Sequence, residues 1–294
     1  MLAPICLFVY NRLSEVKRAV DALTHNYLAP KSDLFVFSDG PKSDNAKVRI
    51  DEVRKYLKTI DGFQSVQIIE SEKNKGLANS IIDGVTEVIE EYGKVIVVED
   101  DLISSRNFLD FMNQALDFYS EQERVFSVSG YTMNLPSLKS YKEDSYLGLR
   151  ASSWGWGTWN DRWAKVDWKA TDYSRTIYNP IKHYAFTRGG SDMPYMLWKQ
   201  MNGKIDSWAI RWCYFQHKHD LLTVFPSQSK IESIGFGADA THTQNTNRFD
   251  TYLDTEESRS FVFSNNMIPE SKLMKEFRRK FSVWNRVKNR LKCL

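Results

Sequence analysis

Long apolar runs, paired cysteines and glycosylation sequons are all missing from this chain of 294 residues. A membrane-spanning helix needs about 18 apolar residues, and no apolar stretch approaches that length. No basic segment of the kind found in signal peptides precedes the short apolar run at the N-terminus. The cysteines, Cys6, Cys213 and Cys293, are odd in number and form no C-x-x-C pair, so the sequence indicates neither a disulfide framework nor a zinc site. We therefore expect a cytoplasmic protein, soluble or peripheral on the inner face of the membrane.

Two common nucleotide-binding loops are absent as well. There is no G-x-x-x-x-G-K-[ST] motif, and Gly155-Trp156-Gly157 lacks the third glycine of a dinucleotide loop and follows no obvious strand. These absences argue against P-loop enzymes and NAD enzymes. With 42% hydrophobic and 26% charged residues, the composition is that of a folded globular protein rather than a disordered one.

The net charge of +3 conceals an uneven distribution. Of 40 basic and 37 acidic residues, nine basic residues and one acid lie between Lys272 and Leu294, which leaves 31 basic and 36 acidic residues in the body. An acidic body would repel the backbone of a nucleic acid, so we expect no nucleic-acid partner. Apolar residues recur at helical spacing in the basic tail, at Phe277, Phe281, Trp284, Val287 and Leu291. The tail is predicted to be a basic amphipathic helix that lies on anionic lipid, or alternatively packs on the body or a second copy.

Strands and helices alternate along the first half of the chain. Short apolar runs at 5–10, 34–37, 66–69 and 95–98 predict buried strands, and amphipathic stretches follow the first three. This alternation predicts an α/β fold, with a mostly parallel central sheet flanked by helices.

Polar residues follow three of these predicted strands. Arg12 comes after the first, Asp39 after the second, and Glu99, Asp100 and Asp101 after the fourth. Because ligands bind at the carboxyl ends of parallel strands, we expect these side chains at one edge of the sheet. Three adjacent carboxylates repel one another, and a divalent cation would relieve that repulsion. The alternative is a solvated strand end or a helix cap.

Three of the polar residues suit a nucleotide. Asp39 could accept an N–H from a pyrimidine base or be a turn residue, and Arg12 could face a diphosphate or begin a helix in solvent. Lys75, before a predicted helix, suggests either a cradle for phosphate or ribose or a solvated cap.

The segment from Val95 to Leu109, VIVVEDDLISSRNFL, resembles the metal-binding strand of glycosyltransferases with the GT-A fold, in particular N-acetylglucosaminyltransferase I and bacterial family-2-like enzymes. The likeness covers about residues 3–130, with local motifs beyond. It implies a GT-A (Rossmann-like) fold in which Asp101 ligates Mn²⁺ or Mg²⁺ and Glu99 and Asp100 contact ribose and sugar. Arg12 and Asp39 would hold uracil.

In the second half the resemblance implies that Asp206, before Ser207-Trp208, is the general base; a helix cap is the alternative. Trp154 and Trp156 alternate with glycines, so they could cover a sugar face or pack in the core. His242 could complete the metal or phosphate site from a loop, although a lone histidine is more often structural.

These features together predict an inverting, metal-dependent glycosyltransferase. It would move a sugar from a UDP-sugar to a hydroxyl of a glycan or lipid-linked acceptor, in the synthesis of a bacterial surface polysaccharide. Residues 1–130 would bind the nucleotide sugar, 131–268 the acceptor within the same unit, and 269–294 would form the terminal helix. The alternatives are a nucleotidyltransferase on a similar sheet and a non-catalytic glycan-binding protein.

Overall fold

The first hundred residues form four parallel strands joined by helices. The computed structural model describes residues 1–235, 249 and 251–282. The strands are β1 (Ile5–Val9), β2 (Asp33–Ser38), β3 (Ser65–Glu70) and β4 (Lys94–Glu99). The helices between them are α1 (Leu13–Thr24), α2 (Asp44–Leu57) and α3 (Leu77–Tyr92). All four strands occur where the apolar runs predict them.

Local signals set the ends of these helices. At the start of α2, the Ser43 hydroxyl accepts a hydrogen bond from the Ala46 backbone N–H at 3.3 Å, which satisfies a donor that has no partner within the helix. Helix α3 ends at Gly93, whose φ of +75° is a left-handed conformation that glycine adopts at little cost. Helix α3 therefore stops where β4 begins.

Shorter elements make up the second half. The strands are β5 (Leu102–Ser104), β6 (Val125–Ser129), β7 (Ser145–Gly148), β8 (Trp156–Trp159), β9 (Leu222–Pro226) and β10 (Ile231–Ser233). The helices are α4 (Phe108–Phe118), α5 (Asn160–Trp163), α6 (Ser174–Ile177), α7 (Pro180–Phe186), α8 (Met193–Met201), α9 (Trp208–Lys218) and α10 (Ser271–Lys280).

Eight strands form the central sheet in the order β3-β2-β1-β4-β8-β6-β9-β7. Strand β8 is antiparallel to both of its neighbours, β7 is antiparallel to β9, and the other strands run in one direction. Strands β5 and β10 form a separate antiparallel pair. The predicted α/β fold with a mostly parallel sheet is confirmed, and the insertion of β8 between β4 and β6 is a feature that the sequence pattern did not predict.

Apolar side chains fill both faces of the sheet. Helices α1, α2 and α4 cover one face, and α3 and α9 cover the other. Alternate residues of β4 illustrate the division, because Ile96 and Val98 belong to the first layer and Val95 and Val97 to the second. The sheet therefore has helices on both sides.

The two tryptophans around Gly155 belong to different layers. Trp154 is half-buried against the first layer, whereas Trp156 is fully buried in the second. Residues two apart in a regular strand share a face. Gly155 has a φ of +55°, and this left-handed residue interrupts the alternation.

The apolar side of α10 packs on the body of the protein. Leu273, Phe277 and Phe281 are buried, and the Phe277 and Phe225 rings lie 5.5 Å apart, centroid to centroid. For these residues the structure shows the alternative of packing on the body, so Phe277 and Phe281 do not face a membrane. Residues 283–294 lie outside the described residues.

Within the described parts of the chain, no helix combines the length and the apolar character needed to cross a membrane.

Candidate active site

The predicted polar residues meet at the carboxyl edge of the sheet. Strand β1 lies between β2 and β4, with Val9 opposite Ser38 and Phe8 opposite Glu99. The residues that follow β1, β2 and β4 are consequently neighbours, as the parallel arrangement predicts.

Arg12 binds two of the three consecutive acids. Its Nη2 donates to Asp100 Oδ1 and, at 3.0 Å, to Asp101 Oδ2. The Tyr10 backbone N–H also donates to Asp100, at 3.3 Å. The sequence suggested that a metal ion would relieve the repulsion between these acids; in the structure a guanidinium provides part of that compensation. Arg12 therefore lies beside the acids, and its predicted contact with uracil or a diphosphate stays a prediction.

Negative charge still exceeds positive charge in this cluster. Glu99 is half-buried and forms no hydrogen bond with a described residue through its carboxylate. Burial and then the nearby Asp101 and Asp100 raise the pKa of Glu99 to about 8. Burial is also the largest cause that raises the pKa of Asp100 to about 6, against the opposing effect of Arg12. Even with Glu99 protonated, Asp100 and Asp101 share one guanidinium, so the cluster can accept a further cation.

The donor set suits a hard divalent cation. Only one oxygen of Asp101 accepts a hydrogen bond from a described residue, and the side chain is 23% exposed. Among the described residues no group of three or more His, Cys, Asp or Glu side chains has the arrangement of a complete metal site. Mg²⁺ typically uses only one or two protein carboxylates and takes other ligands from substrate phosphates and water. The acids thus fit a cation that binds together with a phosphorylated substrate.

Gly235, which follows β10, lies against Asp101. A Cβ atom on Gly235 would come within 2.2 Å of Asp101 Oδ2, and the Ile234 backbone N–H donates to the Asp101 carbonyl at 2.9 Å. Any larger residue at 235 would displace the Asp101 side chain. The chain after Gly235 contains His242, which lies outside the described residues, so its predicted role at the metal or phosphate stays a prediction.

The carboxylate of Asp39 is surrounded by donors. Oδ1 accepts from the backbone N–H groups of Gly40 at 2.8 Å and Lys75 at 2.9 Å. Oδ2 accepts from Asn74 Nδ2 at 2.9 Å and from the Gly76 backbone N–H at 3.0 Å. A carboxylate has about four lone-pair sites, so these bonds use its capacity. The predicted contact with uracil would require one of these donors to leave.

The Asp39 carboxylate holds the loop between β3 and α3 in position through hydrogen bonds. Gly40 allows the close approach, because a Cβ atom there would lie 2.4 Å from the Lys73 carbonyl carbon. Lys75 contributes its backbone N–H to Asp39, while its exposed Nζ lies 3.2 Å from Asp83 Oδ2 on α3. The Lys75 ammonium is thus paired with Asp83, and the predicted cradle for phosphate or ribose stays a prediction.

Asp206 approaches the same loop from the second half of the chain. A Cβ atom on Gly76 would lie 3.2 Å from Asp206 Oδ2. The cap of α9 is Ser207, whose hydroxyl accepts from the Ile210 backbone N–H at 3.4 Å. Asp206 is exposed and is not the cap, so its carboxylate is available at the edge of the sheet.

The two tryptophans differ in what they offer a sugar. Trp156 is 0% exposed, and its ring centroid lies 4.4 Å from that of Trp212 and 4.9 Å from that of Trp208. An enclosed indole has no face for a sugar, so the prediction that Trp156 contacts a sugar is wrong and the core alternative holds. Trp154 is half-buried, with its ring against Tyr131 at 4.5 Å.

The contacts of two further residues near the acids could not be predicted from the sequence. Asn74 donates to both Asp39 and the Gly40 carbonyl, and Gly235 makes room for Asp101. Neither has a local signal, since each acts on a residue far away in the sequence. A glycine at such a position is recognisable only once the neighbouring backbone is known.

A separate polar cavity of about 370 Å³ lies at the opposite edge of the sheet, beside Gly93, Trp159 and Arg162. It is near the start of β4, whereas the acids follow the end of that strand. The cavity has no part in the candidate site.

The acidic cluster lies at the carboxyl edge of a mostly parallel α/β sheet, which is where proteins of this architecture bind nucleotides and other phosphorylated ligands. The family model for glycosyl transferase family 2 matches residues 5–177, more than half of the chain. The chain belongs to this family, which confirms the predicted GT-A-type glycosyltransferase class. The particular likeness to N-acetylglucosaminyltransferase I stays a prediction.

Comparison with solved structures gives distant similarities. A mannosyltransferase, PcManGT from Pyrobaculum calidifontis in complex with GDP-Man and Mn²⁺, has 13% identity and a TM-score of 0.38 over 55% of this chain and 46% of that one. S. aureus TarS has 14% identity and a TM-score of 0.40 over 57% and 30%. TarS 1–349 in complex with UDP has 16% identity and a TM-score of 0.38 over 67% and 55%. The chain thus spans between about a third and a half of the length of these proteins. No curated protein matches it by sequence.

Proposed function

We propose that this protein is an inverting glycosyltransferase that requires a divalent cation and moves a sugar from a UDP-sugar to a hydroxyl of a glycan or lipid-linked acceptor. A role in the synthesis of a bacterial surface polysaccharide is part of the proposal. The observation that carries it is the charge imbalance at the carboxyl edge of the sheet, where Glu99, Asp100 and Asp101 have one guanidinium between them. A nucleotide diphosphate with its cation would complete that edge.

Asp101 would hold Mn²⁺ or Mg²⁺, and Glu99 and Asp100 would contact the ribose and the sugar of the donor. When bound, such an ion stabilises the negative charge that develops on a departing diphosphate. Arg12 would then be free to leave Asp101, because a cation takes over the neutralisation, and its guanidinium could donate to phosphate oxygens.

The nucleotide would lie along the loop that Asp39 organises. This loop joins β3 to α3 and presents backbone groups beside the ends of β1 and β2. The choice of UDP rests on the resemblance to GT-A glycosyltransferases, and Asp39 supports the loop through three hydrogen bonds, from Asn74, Lys75 and Gly76. Asp39 would thus shape the base site through the backbone of residues 74–76.

Asp206 would act as the general base on the acceptor side. Its carboxylate would take the proton of the acceptor hydroxyl as that oxygen forms a bond to the anomeric carbon. The bond from the anomeric carbon to the diphosphate oxygen would break on the opposite side, so the configuration would invert. The exposed position of Asp206 beside Gly76 leaves room for an acceptor.

Two variants separate donor binding from transfer. We expect Asp101→Ala to abolish the Mn²⁺-dependent binding of UDP. We expect Asp206→Asn to keep that binding and to reduce transfer by about 10²- to 10⁴-fold, the usual contribution of a general base. Thermal shift with UDP-sugars, with and without Mn²⁺, measures binding, since a ligand that binds the folded state raises the melting temperature.

Asp51→Asn is the matched control, because Asp51 is an exposed acid on α2 with no hydrogen bond or ion pair to a described residue. It should leave binding and transfer unchanged. Full transfer by Asp206→Asn would reject Asp206 as the base, and undiminished UDP binding by Asp101→Ala in Mn²⁺ would reject the assignment of the cation site.

A further inference from the structure

Three large apolar side chains are exposed together on and before α7. Tyr178, Ile181 and Tyr184 are 69%, 81% and 64% exposed, respectively, whereas Phe186 at the end of the helix is buried. Ile181 and Tyr184 are three residues apart and share one side of α7. Among the described residues, no other stretch of seven exposes three large apolar side chains. Clustered exposure of this kind marks an interaction surface.

The charged residues within this stretch of the chain are all basic. Residues 173–191 contain Arg175, Lys182 and Arg188 and no Asp or Glu. All three basic side chains are exposed, and none forms an ion pair with a described residue. We call the three apolar and three basic side chains together the α7 surface.

The acids at either end of this stretch are neutralised by other residues. Asp172 Oδ2 lies 2.7 Å from Lys218 Nζ, and Asp192 Oδ1 lies 2.8 Å from Arg150 Nη1. Their charges are therefore directed to partners outside the α7 surface, which keeps its positive character.

Helix α10 extends the basic area. The Arg278 guanidinium carbon lies 5.4 Å from the centroid of the Tyr184 ring, and its Nη2 donates to Thr187 Oγ1 at 3.1 Å. The exposed side of α10 also carries Lys272 and Lys275.

The one acid of α10 is engaged elsewhere. Both carboxylate oxygens of Glu276 accept hydrogen bonds from Ser137, one from its backbone N–H at 3.0 Å and one from its hydroxyl at 2.6 Å. Glu276 is thereby held toward the Pro136–Ser140 turn.

We propose that the α7 surface, together with the basic side of α10, docks on an anionic lipid surface. Tyrosine and isoleucine side chains can enter the headgroup region while the surrounding basic groups approach the lipid charges. A second copy fits less well, because a symmetric contact would bring the same basic groups face to face. The proposal uses the polar side of α10, since its apolar residues are already buried in the body.

The test is the binding of the full chain to vesicles, measured by co-sedimentation at low salt. We expect binding to vesicles of phosphatidylcholine with 30% phosphatidylglycerol, and at least tenfold weaker binding to phosphatidylcholine alone. The variants I181S/Y184S and K182E/R188E should each weaken binding to the anionic vesicles at least tenfold. All of these side chains are exposed, so the melting temperature should stay within about 2 °C of that of the unaltered chain.

The control variant is V48S/V262S, in which two side chains with 63% and 69% exposure are replaced away from the α7 surface. It should bind vesicles like the unaltered chain. If I181S/Y184S binds the anionic vesicles like the unaltered chain, the proposal is overturned. It is also overturned if the unaltered chain does not bind vesicles and the only effect of I181S/Y184S is the loss of a dimer. UDP binding, measured on the same samples, should not change, so the outcome is independent of the proposed transferase function.

Discussion

Two groups of carboxylates at the same edge of the sheet have opposite surroundings. Asp39, after β2, accepts four hydrogen bonds, three of them from backbone N–H groups. Glu99, at the end of β4, accepts none from a described residue, and burial with two neighbouring acids raises its pKa to about 8. Acids at one edge of the sheet can therefore have different roles. Donors of the protein itself fill the hydrogen-bonding capacity of Asp39, whereas the acids after β4 have more negative charge than the single Arg12 guanidinium neutralises.

Asp39→Asn should have the largest effect on stability. The new amide would place an NH₂ group against the donors of Asn74 and Gly76, so two donors would lose their acceptor. We expect the free energy of unfolding, measured by urea denaturation, to fall by about 3–5 kcal/mol. The binding of UDP and CDP should weaken together, because the whole loop would shift. Asp51→Asn again provides the control.

A change in nucleotide preference would contradict this structural role of Asp39. Uracil N3 carries a hydrogen, whereas cytosine N3 is an acceptor, so a carboxylate that contacts N3 prefers UDP and an amide can accept CDP. If Asp39→Asn bound CDP more tightly than UDP and lost no stability, we would conclude that Asp39 contacts the base directly.

Arg12→Gln should have the second largest effect. Asp100 would lose a charged donor in a buried position, and we expect the free energy of unfolding of the metal-free chain to fall by about 2–3 kcal/mol. Without the competing guanidinium, Mn²⁺ should bind at least about tenfold more tightly in the absence of nucleotide, as isothermal titration calorimetry would show. Arg12→Lys keeps the positive charge and should resemble the unaltered chain. Equal Mn²⁺ affinity of Arg12→Gln and the unaltered chain would show that Arg12 does not compete with the cation.

Glu99→Gln should have the smallest effect, and its sign should be opposite. Since burial and the neighbouring acids raise the pKa of Glu99 to about 8, its carboxyl must take up a proton on folding near pH 7, and a neutral amide removes that cost. We expect the free energy of unfolding at pH 7 to rise by up to about 1 kcal/mol when EDTA is present. Urea denaturation of the two chains side by side measures this difference. A clear loss of stability would mean that the Glu99 carboxylate has a partner and that the contrast with Asp39 does not hold.

Some features of this site were predictable because they depend on local pattern. The four apolar runs have the lengths and flanks of buried strands, and parallel strands end at the same edge of their sheet. The placement of Arg12, Asp39 and Glu99–Asp101 at that edge follows directly. The partner of each side chain does not follow, since Asp39 meets Asn74 and Arg12 meets Asp100 only after the strands have paired.

The environments of the two tryptophans could not be predicted from the sequence either. Trp154-Gly155-Trp156 suggests two equivalent indoles, but a single left-handed glycine sends them to opposite faces of the sheet. The environment of the apolar side of the C-terminal helix could not be predicted from the sequence either. Its spacing predicts an amphipathic helix, and α10 begins at Ser271, yet the spacing does not specify whether lipid or protein covers the apolar side.

By itself the sequence determined the alternation of strands and helices, the family and the acids at one edge of the sheet, because these depend on periodicity and on residues adjacent in the chain. Only the tertiary structure decided which of those acids are satisfied and which are not. It also decided that Gly235 and Asp206 come from the second half of the chain to the site. The physical reason is that hydrogen bonds and charge compensation depend on atoms within a few ångströms of each other, and the fold brings those atoms together from distant parts of the sequence.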